Sequence, residues 1–284
     1  MKIKDIVVFG KNELSNAENP ILEAQMIVSK VINKDKLYIM LNLDETIKDS
    51  EVELIKAYIE KRKNNYPLQY ILGDREFWGM DFDVEEGVLI PRQDTEVLIE
   101  QTIEIIKKNY DNDFLMGLEI GVGSGIISIV LLKELSYLKL TGVDINVKAL
   151  DLTRKNALKH GVNERLTLID SDLFDNLDKE VSFDFIISNP PYIESNIIES
   201  LQEDIKNYEP RLALDGGIDG LDFYRAIIDK SFSYLKKGGF IAFEIGYNQA
   251  EALKDIMAKK GYQNIDIVKD LAGLDRVVIG VNIW

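Results

Sequence analysis

Up to about Leu72, apolar positions recur along the chain at the three- and four-residue spacing of helices. Ile21, Ala24 and Val28, with Ile27 and Val31 beside them, follow Pro20, a residue suited to a first helical turn. Val52, Ile55, Tyr58 and Ile59 make a second helical face between Asp49 and Lys63. Pro67 and Gly73 then break the pattern. From Arg75 to Ile90 the rhythm shortens to Phe77-Trp78, then Phe82 with Val84, then Val88 to Ile90. Glu86-Gly87 between the last two pieces predicts a hairpin turn.

After Pro91, short apolar runs alternate with helical stretches. Residues 115–120, 138–143, 166–169, 183–188, 240–245, 262–268 and 276–283 are candidate strands, with helices expected between the first five. That alternation predicts a parallel sheet with helices on both faces. The last two strands, joined only by residues 270–274, are expected to pair antiparallel. The expected organisation is a helical domain over residues 1–73, a linking β-hairpin over 74–91 and an open α/β domain over 92–284.

Composition narrows the chemistry. The 284 residues carry 49 acidic and 34 basic side chains, a net charge of −15. Such a balance opposes nonspecific nucleic-acid binding, which rests on Lys and Arg neutralising phosphates, and favours a basic partner or none. With no Cys there is no disulfide framework, thiolate nucleophile or Cys-ligated metal. The single histidine, His160, lies in Lys159-His160-Gly161 and reads as a helix-end residue; no metal site is expected. The N-terminal residues lack a signal-peptide core, and the longest apolar run, residues 126–132, is far short of the roughly 20 needed to span a bilayer. A cytoplasmic protein is expected.

Two motifs carry candidate chemistry. Glu119-Ile120-Gly121-Val122-Gly123-Ser124-Gly125 follows the first strand of the α/β domain and opens a helix. Glycines let the backbone approach a ligand closely, and the helix start offers unpaired N–H groups. Ile126 breaks the dinucleotide spacing G-x-G-x-x-G. Asp144, at the end of the second strand, is placed to accept both ribose hydroxyls of an adenosine, and Asp172, after the third, to accept from an adenine amino group. Glycine loop, ribose acid and adenine acid in that order match S-adenosylmethionine, which has no pyrophosphate to cradle.

The second motif, Asn189-Pro190-Pro191-Tyr192, directly follows the fourth strand. Consecutive prolines remove two backbone donors and hold the preceding residues extended, so the chain leaves the sheet as a stiff loop. The Asn189 side-chain oxygen and the Pro190 carbonyl become free acceptors between which an amino group can dock, and Tyr192 supplies a flat wall.

Asn-Pro-Pro-Tyr beside this glycine loop resembles methyltransferases acting on planar amide or exocyclic amino nitrogens. Further segments narrow the resemblance to the release-factor glutamine methyltransferase family (PrmC/HemK): Arg75-Glu76-Phe77-Trp78, Leu89-Ile90-Pro91-Arg92-Gln93-Asp94-Thr95-Glu96, Ser171-Asp172-Leu173-Phe174, residues 209–217, Asp219-Gly220-Leu221 and residues 269–276. The resemblance runs from about Pro67 to Val278, and the N-terminal helices stand where that family has a helical domain. It implies a seven-stranded, Rossmann-like class I S-adenosylmethionine-dependent methyltransferase domain behind a substrate-recognising helical domain. The implied activity is methylation of the side-chain amide (N5) of the glutamine in the Gly-Gly-Gln motif of class I peptide release factors.

By position, Glu119, Gly121, Val122, Gly123, Ser124, Gly125, Asp144, Asp172, Leu173 and Asn189 would hold the cofactor. Asn189, Pro190, Pro191 and Tyr192 would hold the glutamine. The implied partner is the release factor, met as a monomer, with no direct nucleic-acid or membrane contact. Two departures from the family pattern are visible. Gln93-Asp94 stands where Pro-Glu is usual, and Leu173 stands where an aromatic residue often stacks on adenine. A glutamine methyltransferase of a large-subunit ribosomal protein is the nearest alternative. A DNA adenine methyltransferase lacks its basic stripe here. A noncatalytic S-adenosylmethionine-binding module would not need the Asn-Pro-Pro-Tyr loop.

Overall fold

A computed structural model describes residues 1–110 and 114–284. The chain begins with α1 (Ile3–Glu13), α2 (Pro20–Ile32), α3 (Lys36–Leu41), α4 (Asp49–Lys63) and α5 (Leu68–Leu72), followed by β1 (Asp74–Phe77) and β2 (Met80–Asp83). Next come α6 (Thr95–Asn109), β3 (Leu115–Ile120), α7 (Ile126–Glu134), β4 (Leu138–Asp144), α8 (Val147–Lys159), β5 (Leu166–Asp170) and β6 (Phe183–Ser188). The remainder is α9 (Glu203–Tyr208), α10 (Asp222–Ser231), β7 (Leu235–Glu244), α11 (Ala250–Lys260), β8 (Gln263–Lys269) and β9 (Asp275–Val281). Packing divides these into two units, residues 1–75 with 202–208, and residues 76–201 with 209–284. The α9 segment, inside the stretch expected to be wholly α/β, thus packs in the first unit. No helix among the described residues is long and apolar enough to cross a membrane.

In the first unit, the Asn19 side chain accepts from the Leu22 amide and caps α2, Pro20 occupies its first turn, and Asn33 ends it in the left-handed region. Helix α1, whose Ile6-Val7-Val8-Phe9 run carries no clear periodicity, forms because Ile3, Ile6, Val7 and Gly10 share one buried face. A Cβ at Gly10 would lie 2.8 Å from the Ala24 Cβ, so only glycine lets α1 approach α2 this closely. Arg62 and Glu23 form a mostly buried ion pair at 2.6 Å within this unit.

The second unit is built on a seven-stranded sheet of order β5-β4-β3-β6-β7-β9-β8. Strands β3 to β7 pair parallel, and β9 runs antiparallel to both β7 and β8, as the short 270–274 connection requires. One face is packed by α6 and α7 through Leu98, Ile99, Ile129, Phe185 and Phe240. The other is packed by α10 and α11 through Ile186, Ile227, Phe243, Leu253 and Met257. Every residue from Ile126 to Leu132 is buried, so the apolar run is a core helix sandwiched by protein.

Three expectations are corrected. The hairpin turns at Trp78-Gly79, not at Glu86-Gly87, because both of its turn residues take positive φ (+55° and +67°), the conformation a tight two-residue turn requires. Trp78 is tied there by its Nε1–H donating to Glu134 at 3.1 Å. Val88 to Ile90 form no strand: Val88 is buried against Ala149 and Leu152 of α8, and the Ile90 amide donates to Glu209. No helix joins β5 to β6, where Phe174 and Leu177 plug the core from a turn-rich segment instead.

Candidate active site

The sheet order reverses between β3 and β6, where Ile120 pairs with Ser188. Crevices open at such a point because the two connections leave in opposite directions. A cleft with about 800 Å³ of empty space, its open mouth included, lies there. Its lining includes Gly121, Gly123, Asp144, Asp172, Leu173, Asn189, Pro190 and Pro191. The remaining expected site residues, Glu119, Val122, Ser124, Gly125 and Tyr192, stand outside that lining.

Gly121, Gly123 and Gly125 all have positive φ (+77°, +56° and +84°). A Cβ added at Gly121 or Gly123 would meet nothing within 4 Å, whereas one at Gly125 would strike Thr153 at 2.8 Å. The first two glycines therefore keep the cleft open for a ligand, and the third lets α7 pack on α8. Val122 fills the space above Gly142, and the Ser124 carbonyl accepts from the buried Asn156 amide. Both are structural supports of the loop.

Asp144 accepts from the amides of Gly123 and Asn146 at 3.0 and 2.9 Å. Burial pushes its carboxyl above the usual range, and those N–H donors hold it back. Its remaining acceptor capacity faces the cleft that a ribose diol would enter. Glu119 is 1% exposed; Ser128 donates to its Oε2, while its Oε1 lacks a partner among the described residues. Desolvation lifts it to about 8. Leu173, at φ +49°, lines the cleft, held by Ser171 Oγ donating to its carbonyl at 3.1 Å. Phe174 is buried and stacks on Tyr234 at 5.0 Å, so the aliphatic Leu173 and not the neighbouring ring is the side chain available to an adenine.

Asn189 follows β6 and lines the cleft, with its Nδ2 donating to the Thr95 hydroxyl at 3.3 Å, which leaves Oδ1 as an acceptor. Pro190 is buried and Tyr192 half-buried. The loop is clamped by segments that spacing alone does not connect to it. Ile193 bridges Asp215 in parallel: the Ile193 amide donates to the Leu214 carbonyl at 3.0 Å, and the Gly216 amide donates to the Ile193 carbonyl at 2.8 Å. A Cβ at Gly216 would come within 2.7 Å of the Tyr192 Cα. Gln249 Nε2 donates to the Tyr192 carbonyl at 2.9 Å, and its Oε1 accepts from Gly246. Arg92 pairs with the buried Glu209 at 2.5 Å, anchoring the 209–217 segment whose Pro210 and Leu212 form another wall of the cleft. His160 ends α8, with Nε2 3.0 Å from the Asp81 carbonyl.

Thr95 and Arg276 lie inside the resemblance segments 89–96 and 269–276 without a role of their own there, and Gln249 lies outside them. Glu244 is a lone acid at the end of an apolar strand, which is its one sign in the sequence.

Comparison with known proteins fits this geometry. The family model described as the PrmC N-terminal domain matches residues 5–73, and that of the methyltransferase small domain matches residues 95–218. A release factor glutamine methyltransferase of Clostridium botulinum is 43% identical, covering 98% of each chain. One from Fusobacterium nucleatum is 40% identical over 98% of this chain and 79% of its own. A solved methyltransferase from Pyrococcus furiosus shares the fold, with TM-score 0.51 and 18% identity over 72% of this chain and 90% of its own.

Proposed function

The chain belongs to the release factor glutamine methyltransferase family, and from that premise we propose that it methylates the side-chain amide nitrogen (N5) of the glutamine in the Gly-Gly-Gln motif of class I peptide release factors. The observation that carries this reading is the Asn189 amide: its nitrogen donates to Thr95 and the residue lines the cleft beside the glycine loop, which leaves its oxygen to accept from a substrate N–H. S-adenosylmethionine is the methyl donor; Gly121, Gly123, Asp144, Asp172 and Leu173 line the part of the cleft that would take it, with Glu119 and the α7 start behind them. When bound, that cofactor supplies a strongly electrophilic methyl group.

A glutamine amide nitrogen is a weak nucleophile because its lone pair is delocalised into the carbonyl. What the protein supplies is position and polarity. Asn189 Oδ1 and the Pro190 carbonyl accept the two N–H bonds, orienting the nitrogen and favouring the positive charge it gains as it is alkylated. Tyr192, fixed by Gln249 and by its hydroxyl near Glu244, stands behind the lining and backs the loop that carries those acceptors. The methylated amide cation is strongly acidic and loses its proton unaided, so a chain with a single histidine and no cysteine is equipped for the reaction. The helical first unit is the part that reads the release factor, and the net charge of −15 favours a basic protein surface over RNA. The protein acts as a monomer in the cytoplasm, where its substrate works.

The test is transfer of label from S-adenosylmethionine to purified release factor, with a Gln→Ala factor, ribosomal proteins and DNA as parallel arms. Label confined to the unaltered factor is the expected result. Label on the Gln→Ala factor overturns the assigned atom, and label on a ribosomal protein or DNA alone overturns the substrate.

A further inference from the structure

Glu244, the last residue of β7, is fully buried next to the Asn189–Tyr192 loop, a place where a carboxylate is costly. Neighbouring Phe243 is in register with Ser188, so the strand ends of β6 and β7 bring Glu244 up beside the loop. The Tyr192 hydroxyl donates toward its Oε1 at 3.5 Å. The hydroxyl of Thr95, itself 1% exposed, faces the same carboxylate. Its Oε2 is buried and has no hydrogen-bond partner within 3.5 Å among the described residues, so it is an acceptor open to that hydroxyl. The other groups facing it are Arg276 on β9, which pairs with Asp94 at 3.1 Å and Asp270 at 3.0 Å, Asp94 itself before α6, and Tyr224 of α10, whose hydroxyl takes the Glu244 backbone carbonyl at 2.8 Å. No step of methyl transfer calls for an acid at this place.

We propose that Glu244 is a positioning residue: it ends a hydrogen-bond chain that runs from Asn189 through Thr95, and so determines which end of the Asn189 amide faces the substrate. The inference rests on the function proposed above and deepens it. Thr95 Oγ accepts from Asn189 Nδ2, so its own proton must point elsewhere, and the carboxylate facing it accepts only. With an acceptor at the end of the chain, every donor points toward Glu244, and Asn189 Oδ1 is left for the substrate N–H. A neutral carboxyl or an amide at position 244 can donate as well as accept, so it no longer fixes the direction: whenever it donates to Thr95, Thr95 gives its proton to the Asn189 oxygen, and the amide flips to present its NH₂ group to the substrate's own N–H bonds. Tyr192, held by the same carboxylate, keeps the loop behind the acceptor in place.

Desolvation lifts Glu244 to about 7, with the Asp94 charge adding to it and Thr95, Arg276 and Tyr192 opposing. The acid therefore becomes a donor as pH falls through about 7, and the wiring is lost on the acidic side.

The full chain with S-adenosylmethionine and purified release factor tests this. Glu244→Gln is expected to lower kcat about tenfold or more at pH 8 with cofactor affinity by calorimetry unchanged, and to remove the acidic limb of the rate profile. Thr95→Val is expected to behave likewise and Thr95→Ser to restore activity. Independently of turnover, the side-chain amide resonances of Asn189 should shift with pH at the same midpoint as the Glu244 carboxyl, and stay still in Glu244→Gln. That coupled shift in a protein inactive on release factor would support the wiring while sinking the substrate assignment. A Glu244→Gln protein that keeps the wild-type kcat or the acidic limb, or an Asn189 amide that ignores Glu244, overturns the proposal.

Discussion

The two halves of the cleft sit at the same edge of one sheet yet are built on opposite plans. Toward β3 and β4, the ligand-facing parts come from short contiguous segments: the 119–125 loop, Asp144 and the 171–173 turn. Backbone amides, positive-φ glycines and a carboxylate do the holding, and the bonds that tie the parts together, such as Gly123 to Asp144 and Asn156 to Ser124, run to or from the backbone of the loop itself. Toward β6 and β7, one asparagine is held by a threonine 94 residues away, and its loop by a glutamine 57 residues on and an acid 52 residues on. Here the chemistry depends on side chains meeting from distant segments, and on the direction of the hydrogen bonds between them. The first plan makes a binding site tolerant of its surroundings; the second makes an orienting device that fails if any member is lost.

Substitutions should separate the halves by kinetic signature. The largest effect is expected for Asn189→Ala: kcat falls by about 10²–10³-fold while cofactor affinity measured by calorimetry stays near wild type. A matching loss of cofactor affinity would erase the distinction between the halves. Asp144→Ala should do the converse, weakening S-adenosylmethionine by about 10- to 100-fold with kcat at saturation nearly kept. Gln249→Ala strands the buried carbonyls of Tyr192 and Gly220. It should cost about 1–3 kcal/mol in denaturant unfolding and lower kcat more than it raises the cofactor constant.

The smallest effect is one of pH. Burial lifts Glu119 from 4.5 to about 8, so between those values the folded chain keeps a proton that the unfolded chain has released. Its contribution to stability is full below about 4.5 and declines as pH rises through about 8. Glu119→Gln should therefore flatten the fall of Tm between pH 5 and about 8, in apo protein, and a Tm–pH slope equal to wild type would contradict the buried, proton-holding state.

Much of the architecture is legible along the chain. Short apolar runs place six strand cores within a residue or two at each end, and β7 starts at Leu235, earlier than the apolar run, because Lys236 to Gly238 are solvent-facing strand residues with no hydrophobic signature. Helix α1 lacks a readable stripe since its packing face depends on Gly10 meeting Ala24, a match of surfaces and not of spacing. The hairpin misleads because Glu86-Gly87 has the composition of a turn, while the turn that forms puts a tryptophan, a residue that rarely takes positive φ, at its first position, with its indole N–H bonded to Glu134. At the site, the glycine loop, Asp144 and the Asn-Pro-Pro-Tyr loop are readable because glycine and proline write backbone geometry directly into sequence. Leu173 against Phe174 is not, since which of two adjacent side chains enters the core depends on what waits there, in this case Tyr234.

By itself, then, the sequence determined the alternation of strands and helices, the places where the chain must turn or stiffen at the sheet edge, and a chemistry without thiol or imidazole. Those are local consequences of backbone freedom and of which side chains exist. Only the tertiary structure decided that Thr95 takes the Asn189 nitrogen, that Glu244 is buried behind it, and that Gly121 and Gly123 open onto empty space while Gly125 does not. Burial and hydrogen-bond direction are properties of what surrounds a group, and those surroundings come from residues that meet only after the sheet has assembled.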